Sequence, residues 1–339
     1  MQAVDRDAGT VASATAPGRC PSVLLGEIHT GLLQNSEAIT SAVAAELLAL
    51  IPQERVRTWE RPIRHAASPL TLTGVDGDLP SVSRGRPRAI GTVAAEARVT
   101  GGRLLQASSR ICVVAADENR RLPWSHYLTR PGVVEVIGAL HADEVARGFL
   151  EHDPLPGVLD LGGVAASVMS SVQSSAVVDH RPPFRVRRIR LRWAALPAAD
   201  GQEASINFGL ESDALRTVSI VCPPSLIDLM YELCQDIALH DWLLSSVVAL
   251  VDVSHIGRRD RMHVMQQLGP AIDHLLHAWM PAARLGDELL DFWDEVERRS
   301  GFTRQWESTV RRIRDQVALA TMDLARGGAF SPQGRPERP

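Results

Sequence analysis

Two short stretches hold residues whose types and spacing could do chemistry. Glu27 and His29 lie two apart inside the apolar run Val23 to Leu33, and in a strand such neighbours share a face. A carboxylate that orients an imidazole can act as a general base, so Glu27 and His29 are candidate catalytic groups, with His126 as a third. The alternative is a strand-edge pair or a histidine satisfied inside the core. No nucleophile stands at a telling spacing, and the chain has no G-x-S-x-G elbow and no H-E-x-x-H helix. In the segment Leu122 to Gly132, Trp124, His126, Tyr127 and Arg130 fall together and could line a ligand pocket. The same rings could equally plug the segment onto the core.

Between His180 and Trp193 there are six arginines and no acid: Arg181, Arg185, Arg187, Arg188, Arg190 and Arg192. In a strand Arg188, Arg190 and Arg192 would line one face, with Ile189, Leu191 and Trp193 on the other. With Arg185 and Arg187 that ladder could hold phosphates or, the preferred reading, an acidic protein partner. Pairing with the chain's own carboxylates is the competing explanation. Asp273 and His277 stand four apart and could share a metal ion on a helix. Asp236, His240, Asp241 and His274 lie nearby, but His240 lies on the apolar stripe of its helix whereas His274 and His277 lie on the face opposite Leu268, Ile272 and Trp279, so a shared site would need that second face to be buried as well. No metal and no cofactor is therefore expected.

Composition removes several mechanisms. All 36 basic side chains are arginine, so the chain has no lysine for a P-loop, a pyridoxal Schiff base or a kinase site. A net charge of -4 gives no overall drive towards nucleic acid. Apolar content of 45% with a mean hydropathy of -0.03 fits a water-soluble chain. No run approaches the roughly 18 apolar residues of a membrane span, and Met1 to Arg19 lacks the apolar segment of a secretory signal. A cytoplasmic protein is expected. Cys20, Cys112, Cys222 and Cys234 are scattered, which suits small buried hydrophobes better than a zinc ribbon or a disulfide framework.

The elements that must position these residues read as α+β: a mixed N-terminal α/β part with antiparallel strands, then a C-terminal helical bundle. Residues 1–20 and 327–339 read as disordered tails, 21–152 as an α+β domain, 158–222 as an antiparallel strand segment packed on it, and 223–326 as the bundle. Val23 to Leu33 predicts a strand and turn broken by Gly26 and Gly31, Ser36 to Ile51 a helix, Arg55 to Ile63 a strand, and Ser68 to Pro87 a long loop. Thr100-Gly101-Gly102 joins two strands of a hairpin. Val133 to Ile137 predicts a strand and His141 to Leu150 a helix, while 158–175 is open between helix and loose segment. Arg185 to Ala194 and Ala204 to Cys222 predict antiparallel strands joined near Asp200-Gly201. Ser225 with Asp228 forms a capping-box spacing before a long helix; a second helix has a kink or break at Gly269-Pro270 and closes at Pro281, Asp287 caps a third that ends at Gly301, and Thr303 caps a fourth.

Several stretches, LLGEIHTGLLQ, RLPWSHYLTRPGVVEVIG, LHDWLLSSVVALV, AIDHLLHAWMP and GFTRQWESTVRRIRDQVAL, together resemble an uncharacterised actinobacterial protein family with a locus-style name. The resemblance covers nearly the whole chain. It implies a place in a multi-protein system beside a variant P-loop protein and a methyltransferase, and brings no activity, fold or catalytic residue. The expectation is a non-catalytic interaction or assembly subunit with protein partners, possible nucleic-acid contact through the arginine strand being secondary. An enzyme using the Glu27–His29 pair is the alternative.

Overall fold

Strand β1 (Val23–Leu32) is buried along its whole length, Glu27, His29 and Thr30 included, as a strand with both faces of its sheet covered must be. The computed structural model describes residues 21–82, 85–118, 120–153, 155–254 and 261–328; both expected tails fall outside these residues, apart from Gly327 and Gly328, which belong to the last helix. The other strands are β2 (Arg57–Trp59), β3 (His65–Ala67), β4 (Thr71–Asp78), β5 (Arg88–Thr100), β6 (Leu104–Ala115), β7 (Val133–Ile137), β8 (Ile189–Pro197), β9 (Ser205–Leu210) and β10 (Leu215–Cys222). The helices are α1 (Ser41–Leu47), α2 (Trp124–Leu128), α3 (Ala142–Glu151), α4 (Leu161–Gln173), α5 (Met230–Val253), α6 (Arg261–His274), α7 (Leu290–Ser300) and α8 (Phe302–Gly328). The strands make one mixed sheet in the order β2-β3-β5-β7-β6-β1-β8-β10-β9, with β4 paired to β5. The class is α+β.

Side chains alternate across β1, so the sheet has two faces to cover. Leu24, Ile28 and Leu32 join the core made with α5 to α8, whereas Val23 and Leu25 pack on the other side with Val145, Ala146 and Phe149 of α3. Val168, Met169 and Val172 of α4 complete that second side over β5 and β6. Helix α5 lies between the sheet and α6 to α8, and every residue from Leu233 to Leu244 is buried. The C-terminal helices thus share one continuous core with the strands.

Several expectations need correction. The segment 68–87 is not all loop: β4 pairs along Thr71 to Asp78 with β5. Its glycines and aspartates carry no apolar alternation, and it is held by the backbone ladder, by Asp76 paired with Arg88 and Arg121, and by Val75 against the core. Strand β8 runs parallel to β10, not antiparallel, because the chain first crosses to the outer edge as β9 and returns inward as β10. Strands from 158–222 therefore continue the same sheet through β1 and β8. The stretch 158–175, open between helix and loose segment, holds α4 over Leu161–Gln173. Ser225 caps nothing, since Pro224–Leu229 is a 3-10 turn and α5 begins at Met230 without a side-chain cap. Among the described residues no helix is long and apolar enough to cross a membrane.

Candidate functional site

Glu27 projects from β1 on the α3–α4 side, in register with Ser109 of β6 and Arg192 of β8. The first turn of α4 stands over it. Asp160 caps that helix by accepting from the Gly163 amide at 2.9 Å, and the Ser109 hydroxyl donates to the Leu161 carbonyl at 2.6 Å. Gly162 leaves room for the carboxylate, since a Cβ there would lie 2.7 Å from Glu27 Oε1. Sequence Leu161-Gly162-Gly163 behind an aspartate is thus what lets a helix end sit directly on a buried acid.

Glu27 and Arg192 are 1% and 2% exposed, and they are paired: Arg192 Nε donates to Glu27 Oε2 at 3.1 Å. The remaining guanidinium nitrogens reach the His152 carbonyl at 3.0 Å and Asp153 Oδ1 at 3.1 Å, tying β8 to the α3–α4 connection. His29 Nε2 meets Glu27 Oε1 at 3.0 Å, with Arg190 at 3.6 Å from the same oxygen. Burial pushes the Glu27 carboxyl up, but the hydrogen bond and charge of His29 and the charges of Arg192 and Arg190 outweigh it and hold the group below its ordinary value. A carboxylate so engaged is a weak proton acceptor.

Beside this pair opens a cleft of about 540 Å³, within the range of small-ligand sites. Phe149, Leu155, Val158, Leu159 and Leu161 form its apolar walls, Glu27 and Arg192 its inner end, and Arg86, Asp153 and Asp160 lie around it. His29 stands behind Glu27, outside that lining, with its Nδ1 buried and without a hydrogen-bond partner among the described residues. The hydroxyl among the described lining residues belongs to Ser81. The arrangement can hold a ligand, but it aims no base and nucleophile together at one point.

The other candidates lie elsewhere. His126 Nε2 meets Glu135 Oε1 at 2.9 Å, and Arg130 pairs with the same carboxylate. Glu135 alternates with Val134 and Val136 of the α3 core and so faces the opposite side of the sheet from Glu27. His126 therefore cannot share a site with Glu27 and His29. Tyr127 is buried and its hydroxyl accepts from the Leu122 amide at 3.0 Å, while Trp124 packs edge-on to it at 5.7 Å and stays 38% exposed. Tyr127 plugs the segment; Trp124 borders solvent.

The arginine ladder is split in two. Arg185, Arg187 and Arg188 precede β8 and are exposed, Arg187 pairing with Asp213 at 3.0 Å. Arg190 and Arg192 belong to β8 and turn to Glu27. Asp273 and His277 are both exposed, and α6 ends at His274, so they do not share a helical turn. Among the described residues no group of three or more His, Cys, Asp or Glu is arranged to hold a metal. Cys112, Cys222 and Cys234 are buried thiols, and burial raises Cys222 to about 12.

A second charged cluster, beneath α5, was not anticipated. Arg98 of β5 grips Glu232 in a fork at 3.0 and 3.1 Å, and the Tyr231 hydroxyl donates to Glu96 Oε1 at 2.5 Å. Ser108 and Gln235 reach the same hydroxyl at 2.9 and 2.7 Å. Burial would raise Glu232, but Arg98 outweighs it and the carboxyl falls to about 2. Alternation in β5 and β6 was the available signal: Glu96 with Arg98, and Gln106 with Ser108, lie on the face opposite Ala95, Ala97, Val99, Leu105 and Ala107. This network docks α5 on the sheet. No protein-family model, curated protein or solved structure gives a significant match to the chain.

Proposed function

We propose that the chain is a non-catalytic binding subunit of a cytoplasmic protein assembly, and that it holds a small molecule in the cleft between α3 and α4. The observation supporting this is the cleft itself, with apolar walls over a buried Glu27–Arg192 pair whose polar atoms are engaged within the protein. Preformed, largely apolar concavities with a few fixed polar groups are what ligands select. The C-terminal helical layer, with Met280, Leu290, Leu319 and Met322 exposed, offers surface for a protein partner, the variant P-loop neighbour implied by the resemblance being one such. The 3.0 Å contact between His29 and Glu27 favours a second reading, a Glu–His general base, against which stand the depressed Glu27 carboxyl and His29's position behind it.

The test is native purification of the tagged chain, wild type and Leu155→Trp, with mass spectrometry of released small molecules and co-purifying proteins. Leu155 lines the cleft and is half exposed, so tryptophan fills the space without entering a core. We expect a stoichiometric small molecule on the wild type, reduced at least tenfold on the variant, and a nuclease-resistant protein partner on both. Equal recovery of the molecule from both chains, or its conversion to product by the wild type, overturns the reading.

A further inference from the structure

The cleft's charges differ in how far they are already engaged. Glu27 is held by Arg192 and His29, and Asp153 by Arg192 at 3.1 Å. Asp160 caps α4 through the Gly163 amide. Arg192 directs its guanidinium to Glu27, Asp153 and the His152 carbonyl. Arg86 is different: it is exposed, it lines the cleft, and it has no ion-pair partner among the described residues. An arginine offers five fixed N–H donors suited to a planar or tetrahedral anion. The walls behind it are the rings and methyls of Phe149, Leu155, Val158, Leu159 and Leu161.

From this asymmetry we infer that the cleft takes a small amphipathic anion, an apolar body lying along those walls with one carboxylate- or phosphate-type head held by Arg86. This deepens the ligand-binding reading above and rests on it. A cationic head would meet carboxylates already neutralised by Arg192 or turned to a helix end, and would sit beside an unpaired guanidinium. A neutral head would leave Arg86 without an ionic partner. The apolar body gains by burial against walls that are otherwise partly wet. Arg86 adds selection among heads.

The experiment uses the purified full chain and the fluorescent probe 1-anilinonaphthalene-8-sulfonate, itself an apolar ring system with one anionic group. Decanoate, decyl phosphate, decanol and decylamine compete for it below their aggregation concentrations, on wild type, Arg86→Ala and Leu155→Trp. We expect at least one of the two anions to displace the probe at least tenfold more tightly than decanol and decylamine. Arg86→Ala should remove most of that preference while leaving decanol unchanged, and Leu155→Trp should weaken every competitor. Binding of decanol or decylamine as tight as both anions, or a preference unmoved in Arg86→Ala, overturns the inference while leaving the cleft as a ligand site. Absence of binding, or binding undiminished in Leu155→Trp with an unchanged melting temperature, removes the cleft reading and the inference with it.

Discussion

At Gly162 one hydrogen in place of a methyl group lets α4 rest on Glu27. Alanine would ordinarily favour a helix there, by up to about 1 kcal/mol relative to glycine. Its Cβ, however, would lie 2.7 Å from a carboxylate oxygen that Arg192, Arg190 and His29 hold in place. Overpacking of that kind costs about 1–3 kcal/mol. Gly162→Ala should therefore lower stability in chemical denaturation, and a higher midpoint would show that Glu27 is not seated under α4. The Glu27–His29 adjacency was legible from the residue list alone, because period-two alternation puts both on one face. Their partner Arg192 was visible only as part of an arginine run. Nothing in linear order says that a guanidinium 165 residues away comes to lie 3.1 Å from that carboxylate.

The edge elements β2 and β3 carry a titratable contact. His65 of β3 pairs with Trp59 of β2, their rings stacked at 4.6 Å, and burial, helped by Arg284 and Arg98, lowers the imidazole from 6.5 to about 4. A folded state that binds this proton less readily than the unfolded chain loses stability as pH falls from 6.5 towards 4, and loses no more below that. One proton gives a slope of at most about 1.4 kcal/mol per pH unit. Unfolding free energy measured across that window should decline in the wild type and flatten in His65→Gln; equal slopes would exclude His65 as the source. Acid loss from Glu232, whose carboxyl lies near 2, begins only below about 4.5 and is separable. Long, regular elements were legible in the sequence, among them β5, β6, β7 and α3. Strand β4 was not, since an exposed ladder of Thr, Gly and Asp leaves no hydrophobic signature.

Across the whole molecule, α5 joins the two halves that the sequence suggested were separate. Its Arg216–Asp241 contact at 3.0 Å, the Arg98–Glu232 fork and the packing of Trp193 and Trp242 in one core bind helices to strands. An excised fragment of residues 223–328 would expose the face of α5 that meets the sheet and would leave Glu232 and Asp241 without Arg98 and Arg216. We expect that fragment to be helical by far-ultraviolet dichroism yet to lack a cooperative melt and dispersed amide signals. A cooperative transition would mean that the C-terminal helices form an independent bundle.

The sequence by itself determined the α+β class, the missing lysine chemistry and the strand alternation that pairs Glu27 with His29, while it left the segment around Tyr127 open between a ligand pocket and a plug. The features it determined depend on residue type and on the period-two alternation that local backbone geometry imposes. Tertiary structure alone decided that β8 and β10 run parallel, that His126 lies across the sheet from Glu27, and that Arg192 closes a cleft with α3 and α4. Those facts rest on register and layer order, which follow from how distant segments cover one another's apolar faces rather than from any nearest-neighbour pattern.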